Sequence, residues 1–193
     1  MSGREATGVP VWERELRTTD AEGTQALAER LGSRLRPGDL ILLTGELGAG
    51  KTTFTQGLGR GLGVRPGIIS PTFVLVRIHP SLAGGPDLVH VDAYRLGSAA
   101  EIDDIDLENT MDSSVTVVEW GRGLVEHLSE SRLEITLLRP TGADANAAAN
   151  AAGGGIPLNY DDDGGAEPRV LRLAAFGPRW AGTVPPDLEP LHG

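Results

Sequence analysis

The stretch that decides the fold is LILLTGELGAGKTT, residues 40–53. Its first five residues, Leu40–Thr44, form an apolar run without alternation, which predicts a strand covered on both faces. The next eight, Gly45–Thr52, fit the pattern G-x-x-x-x-G-K-[ST] at every fixed position. From residue 51 to about residue 62 the sequence predicts a helix whose end is marked by Gly63. A strand, a glycine loop and a helix in this order predict a phosphate-binding loop.

The residue types of this loop suit a nucleotide and its metal ion. Glycines let backbone N–H groups turn toward one centre, and the N-terminus of the following helix favours an anion. Lys51 is expected to reach the β- and γ-phosphates, and the Thr52 hydroxyl to join the shell of a Mg²⁺ ion. The predicted nucleotide contacts in this stretch are Gly45, Glu46, Leu47, Gly48, Ala49, Gly50, Lys51, Thr52 and Thr53.

Two further predicted strands end in carboxylates. Leu88 to Asp92 ends in Asp92, and Val115 to Glu119 ends in Glu119. Open α/β sheets bind ligands at the carboxyl ends of their strands. We therefore predict that one carboxylate holds Mg²⁺, directly or through water, and that the other orients or deprotonates the attacking water. The spacing leaves open which does which, so Asp92 and Glu119 are both predicted metal and catalytic residues, alongside Thr52 for the metal and Lys51 for catalysis.

Between the glycine loop and the first acid lies Ser70-Pro71-Thr72-Phe73. The hydroxyls of Ser70 and Thr72 are in a position to meet the γ-phosphate or the metal, as in a nucleotide-sensing loop. A capped turn before a strand fits the same residues. Trp120, directly after Glu119, is open to two interpretations in the same way: a core aromatic residue or a contact in the nucleotide site.

Strands and helices mostly alternate along the chain, which predicts an α/β protein with three layers and a mixed sheet. Only eight residues, 79–86, separate the strands predicted over 72–78 and 87–92, so these two pair antiparallel. The other predicted elements are a helix over 20–35, one or two short acidic helices over 99–111, a short helix over 123–128, and strands over 115–120, 133–138 and 169–174. The predicted division is an N-terminal extension over 1–17, an ATPase domain over 18–140, a low-complexity loop over 141–168, and a possible edge strand with a tail over 169–193.

Composition excludes several functions. The formal net charge of −10 disfavours direct, tight binding to a nucleic-acid backbone. The chain has no cysteine, so a disulfide framework and a thiolate metal site are excluded. No apolar run approaches the roughly 18 residues of a membrane span, and residues 1–20 lack the apolar core of a signal peptide. We expect a cytoplasmic protein without membrane contact.

Four motifs occur in order: GELGAGKTT, SPTF, HVDAYR at residues 90–95, and VEW at residues 118–120. Over Thr18 to Leu138 the chain resembles the TsaE family, the bacterial ATPase subunit of the machinery that makes threonylcarbamoyladenosine in tRNA. The resemblance implies a P-loop NTPase fold with a mixed, mostly parallel sheet, the ligands ATP and Mg²⁺, and slow hydrolysis by the isolated subunit. It also implies the partners TsaB and TsaD, through which tRNA is contacted.

The same resemblance assigns residues. It implies that Asp92 is the essential strand-end acid, that Glu119 is the second metal-side residue, and that Thr24 in the first helix lies toward the nucleotide. Tyr94, Arg95 and Trp120 match motif positions that couple nucleotide state to partner contact. Arg122 departs from the family, because many members carry an acidic residue near that position.

Two other functions stay open at this point. A P-loop small-molecule kinase needs an arginine-bearing lid, whereas the corresponding region, residues 98–114, is acidic and has no arginine. A non-catalytic, nucleotide-gated binding module would use the same loop without depending on hydrolysis. The sequence also shows no obvious arginine finger supplied by the chain itself, which favours an ATPase that depends on its partners.

Overall fold

The strand that precedes the glycine loop lies in the middle of a seven-stranded sheet. The computed structural model describes residues 8–140 and 167–182. The strands are β1 (Trp12–Thr18), β2 (Leu40–Thr44), β3 (Val76–His79), β4 (Asp87–Asp92), β5 (Ser114–Glu119), β6 (Arg132–Leu138) and β7 (Arg169–Phe176). The helices are α1 (Ala21–Gly32), α2 (Lys51–Leu62), α3 (Ala99–Asp103) and α4 (Glu108–Met111), with 3₁₀ turns at Glu126–Leu128 and Pro178–Trp180.

The sheet order is β1-β7-β6-β2-β5-β4-β3. The four central strands, β6, β2, β5 and β4, run parallel, whereas β3, β7 and β1 pair antiparallel with their neighbours. The predicted α/β fold with a mixed sheet and an antiparallel β3–β4 hairpin is confirmed. Since parallel strands end at the same edge, the loops after β2, β4 and β5 all begin at one edge of the sheet.

Side chains of β2 explain the three layers. Ile41 and Leu43 belong to the core under α1 and α2, and Leu40 and Leu42 belong to a second core that includes residues of α3 and α4. All four are at most 1% exposed. Burying each such side chain contributes about 1.5–3 kcal/mol, so the continuous apolar run stabilises the strand from both faces.

Helices α1 and α2 pack closely because glycines face their contact. A Cβ atom at Gly57 would collide with the carbonyl oxygen of Gln25, and one at Gly61 with that of Glu29. The two glycines are four residues apart and so share one face of α2. This close approach places the start of α1 beside the start of α2.

Several predicted element boundaries are wrong. Helix α1 begins after its N-cap Asp20, whose carboxylate accepts the Gly23 N–H at 2.7 Å, but it ends at Gly32 rather than at residue 35. The predicted strand over 72–78 begins only at Val76, because the carbonyl of Pro71 accepts the N–H groups of residues 74 and 75 in a turn. Leu75 in that turn has a φ of 66°.

The helix predicted over 123–128 is present only as the 3₁₀ turn Glu126–Leu128. Strand β1 lies in the predicted N-terminal extension except for its last residue, Thr18, and was not predicted as a strand. Strand β7 is confirmed as a strand, but its predicted place at the edge is wrong, because β1 pairs with its outer side and β6 with its inner side. The predicted loop over 141–168 lies almost wholly outside the described residues.

The C-terminal 3₁₀ turn contacts both β1 and the residue that precedes β2. Trp12 donates its indole N–H to the carbonyl of Trp180 at 3.1 Å, and the two rings pack edge to face. Arg179 donates to both carboxylate oxygens of buried Asp39, at 2.9 and 3.0 Å.

Among the described helices, none is long and apolar enough to cross a membrane.

We expect the substitution Trp12→Ala to lower the free energy of unfolding by about 3 kcal/mol or more, because it leaves a cavity against Trp180. The matched control is Glu13→Ala, an exposed neighbour on the same strand, which should change that free energy by no more than about 0.5 kcal/mol. Urea unfolding measures both. Equal effects of the two substitutions would contradict the packing role of β1.

Candidate nucleotide site

A cavity of about 620 Å³ opens at the carboxyl ends of β2, β4 and β5, beside the starts of α1 and α2. It is lined by residues from six separate segments of the chain. They are Ala21, Thr24, Leu47, Gly48, Gly50, Lys51, Thr52, Thr53, Ser70, Thr72, Asp92, Tyr94, Glu119, Trp120, Glu167 and Arg169.

The glycine loop has the backbone conformation of an anion site. Gly48 has a φ of 77° and Gly50 a φ of 100°, values that L side chains rarely adopt. Gly50 is the N-cap of α2 and supplies no side-chain hydrogen bond, so the first N–H groups of α2 have no partner within the helix. These groups and the helix dipole favour a phosphate at this end of the cavity.

Lys51 supplies a positive charge next to the glycine loop. Its Nζ donates to the carbonyls of Gly45 at 2.7 Å and Glu46 at 3.1 Å, and lies 4.8 Å from the centre of the Trp120 ring. Burial lowers the pKa of Lys51, while the nearby charges of Glu119 and Asp92 act in the opposite direction. The lysine is therefore held inside the cavity, over the loop that precedes it.

The two predicted acids are neighbours across the β4–β5 pair, where Asp92 is the register partner of Glu119. Both are buried, with 4% and 3% of their surface exposed. Asp92 accepts the Tyr94 N–H at 2.9 Å, and Oε1 of Glu119 lies 2.8 Å from Nε2 of His90. Each carboxylate is thus fixed by a contact to one of its oxygens.

The oxygen ligands at the cavity suit a Mg²⁺ ion that also takes phosphate and water ligands. They do not suit a metal ion held by protein side chains alone. The described residues contain no cluster of three or more histidine, cysteine or acidic side chains that could hold a metal ion. Mg²⁺ needs fewer protein ligands, since it commonly takes one or two carboxylates together with phosphate oxygens and water. Thr52, Asp92 and Glu119 provide a hydroxyl and two carboxylates in one cavity.

Some of the remaining predicted contact residues line the cavity, and others do not. Ser70 and Thr72 line the cavity, with their hydroxyl oxygens 2.6 Å apart. Thr24 also lines it, and its hydroxyl lies 2.7 Å from that of Thr18. Gly45, Glu46 and Ala49 do not line it: the carbonyls of the first two face Lys51, and Ala49 is buried. The roles of all these residues stay predictions.

Four ionisable residues near the site carry no role in the sequence prediction. Arg169 and Glu167 line the cavity, Arg139 donates to the carbonyl of Gly48 at 2.7 Å, and His90 contacts Glu119. His90 was visible as the first letter of the HVDAYR motif. Arg169 is 120 residues from the loop it contacts and gave no local signal.

The family model described as "Threonylcarbamoyl adenosine biosynthesis protein TsaE" matches residues 18–146, two thirds of the chain. The chain belongs to the TsaE family. All four sequence motifs of this TsaE-family chain lie inside the matched range, whereas β7, which carries Arg169, lies outside it.

Relatives agree with this assignment. A Streptomyces coelicolor protein named "tRNA threonylcarbamoyladenosine biosynthesis protein TsaE" is 54% identical over 80% of this chain and 92% of its own length. A protein of the same name from Bacillus subtilis is 38% identical over 64% of this chain and 76% of its own length. The structure titled "Crystal structure of Bacillus subtilus YdiB" superposes with a TM-score of 0.61, at 28% identity, over 88% of this chain and 89% of that one.

The buried contact between His90 and Glu119 has an exposed counterpart in the same protein. His127 lies 2.7 Å from Asp103, with their side chains 41% and 56% exposed. We expect a double-mutant cycle with His90→Phe and Glu119→Gln to give a coupling energy of about 1–3 kcal/mol. The reason is that replacing either residue leaves the other one buried without its partner.

The control cycle uses His127→Phe and Asp103→Asn. Exposed ion pairs contribute about 1 kcal/mol or less, so its coupling energy should be clearly smaller. Urea unfolding of the wild type and the six variants gives both values. Similar coupling energies would show that the buried contact does not hold Glu119 in place.

Proposed function

We propose that this member of the TsaE family is a Mg²⁺-dependent ATPase that acts, with TsaB and TsaD proteins, in the formation of threonylcarbamoyladenosine in tRNA. One observation carries the proposal: Lys51, Thr52, Asp92 and Glu119 converge on a single cavity next to a phosphate-binding loop. The names of the relatives supply the tRNA modification.

The site fits hydrolysis of the γ-phosphate. The oxygen of a water attacks the γ-phosphorus, the bond from that phosphorus to the β–γ bridging oxygen breaks, and ADP and phosphate leave. Charge spreads over the γ-phosphate oxygens in the transition state, so positioned positive groups lower the barrier. Lys51 and the N–H groups at the start of α2 are such groups.

The carboxylates have two tasks, which both Asp92 and Glu119 can perform. Thr52 and at least one of the two would hold Mg²⁺, which supplies positive charge to the β- and γ-phosphate oxygens when bound. The other carboxylate accepts a hydrogen bond from the attacking water and takes up its proton. The fixed contacts to Tyr94 and His90 keep both side chains aimed, which reduces the entropy that must be lost at the transition state.

The surface around the cavity supports work with a protein partner. Leu47 and Tyr94 line the cavity and are 94% and 67% exposed, and Phe73 in the adjacent SPTF segment is 85% exposed. Exposed apolar side chains beside a cavity fit a surface that a protein partner covers. The net charge of −10 opposes direct tRNA binding, so tRNA is reached through the partners in a shared cytoplasmic complex.

We expect Asp92→Asn to bind ATP but to release phosphate at least about 100-fold more slowly, because the variant lacks a carboxylate that acts on water or metal. Asp106→Asn is the control: Asp106 lies in an exposed turn with a φ of 57°, which asparagine tolerates. Calorimetry measures binding and a phosphate assay measures hydrolysis.

Each alternative has its own outcome in this experiment. Phosphate transferred to a metabolite, rather than released, would identify a kinase. Full tRNA modification by the Asp92→Asn protein, with hydrolysis abolished, would identify a nucleotide-gated binding module. Hydrolysis at the wild-type rate would remove Asp92 from the catalytic residues.

We expect the isolated protein to hydrolyse ATP slowly and to speed up when TsaB, TsaD and tRNA are added. The physical reason is that the apolar side chains of Leu47, Phe73 and Tyr94 beside the cavity are exposed until a partner covers them and excludes bulk water from the site. Phosphate release is measured with each component added in turn. An unchanged rate in the complete mixture contradicts partner activation.

A further inference from the structure

Two arginines hold the phosphate loop by its carbonyl oxygens. Arg169 begins β7, and its Nε donates to the carbonyl of Ala49 at 2.8 Å. Arg139 directly follows β6, and one of its guanidinium nitrogens donates to the carbonyl of Gly48 at 2.7 Å. The antiparallel register pairs Leu138 with Val170, so both arginines emerge from the same end of two adjacent strands.

These contacts set the direction of the loop's N–H groups. In a trans peptide unit the C=O and the N–H point in opposite directions. The carbonyl of Ala49 shares a peptide unit with the N–H of Gly50, so binding that carbonyl to Arg169 turns the Gly50 N–H away from the arginine. The positive guanidinium also polarises the peptide unit, which makes the N–H a stronger donor to an anion.

Burial distinguishes Arg169 from an ordinary surface arginine. Its side chain is only 9% exposed, although it carries a charge. Its other guanidinium nitrogens donate to the carbonyl of Pro168 at 2.8 Å and to the carboxylate of Glu167 at 2.6 Å. A buried guanidinium with its donors shared among four residues is fixed in space and can fix the loop in turn.

We propose that Arg169, assisted by Arg139, is a positioning residue that keeps the phosphate loop in its anion-binding conformation before any ligand arrives. The inference rests on the proposed function only for the identity of the ligand. The order of the loop is a property of the ligand-free protein and is measurable separately.

The first experiment measures amide hydrogen exchange in the ligand-free protein by NMR. The probe is the Ala49 N–H, which donates to the Glu46 carbonyl at 3.0 Å within the loop. We expect Arg169→Met to speed its exchange roughly tenfold, because the loop loses the hydrogen bond that a charged group donates to the Ala49 carbonyl. Arg169→Lys should give an intermediate rate, because an ammonium group cannot reproduce the planar fork of donors.

Arg172→Met is the matched control. It removes the same type of side chain three residues further along β7, where Arg172 is 66% exposed and bonds only Glu15 among the contacts described for its side chain. We expect it to leave the exchange of Ala49 unchanged. Wild-type exchange at Ala49 in Arg169→Met would overturn the proposal. If Arg169→Met does not fold, Arg139→Met and Arg169→Lys make the same comparison.

The second experiment measures binding of Mg²⁺-tripolyphosphate and Mg²⁺-ATP by calorimetry. We expect Arg169→Met to weaken both to a similar degree, roughly tenfold, because the loop contacts phosphates rather than the nucleoside. Loss of ATP binding with tripolyphosphate binding intact would overturn the proposal and assign Arg169 to the nucleoside. Failure of the wild-type protein to bind either compound would instead refute the proposed function, while the exchange experiment still decides the role of Arg169 in ordering the loop.

Discussion

The site depends on the backbone N–H groups at the start of α2, which have no partner within the helix. A helix cannot satisfy its first N–H groups internally, and the N-cap Gly50 contributes no side chain to do so. These groups can face a cavity because the glycine loop before them follows β2, which is buried on both faces in the centre of the sheet and holds the loop in place. Rigid strand and rigid helix thus hold an electropositive loop that a flexible segment could not maintain.

The acids of the site follow from strand pairing. Parallel pairing of β4 with β5 makes Asp92 the register partner of Glu119, although 26 residues separate them in the chain. A slip of one residue in this register would turn one of the two side chains to the other face of the sheet. The antiparallel β3–β4 hairpin brings the SPTF segment to the same edge, which explains why four motifs far apart in sequence line one cavity.

The elements differ in how clearly the sequence shows their position, and the reasons are physical. Strand β2 has an apolar side chain at four consecutive positions, so its burial was readable directly. Strand β1 was missed because only Trp12 and Leu16 are buried in it and the charged residues between them conceal the period of two. The end of α1 and the start of β3 were misplaced because a local turn, held by the Pro71 carbonyl in the second case, competed with the regular pattern.

By itself, the sequence determined the phosphate loop, the two strand-end acids, the mixed α/β architecture and the family, because each is encoded in contiguous residues whose chemistry permits few other structures. Only the tertiary structure decided the place of β7 inside the sheet, the buried contact of His90 with Glu119, and the contacts of Arg139 and Arg169 with the loop. These depend on side chains meeting across strands that are distant in the chain. Local propensity carries no information about such pairings, because they are selected by the packing of the whole sheet.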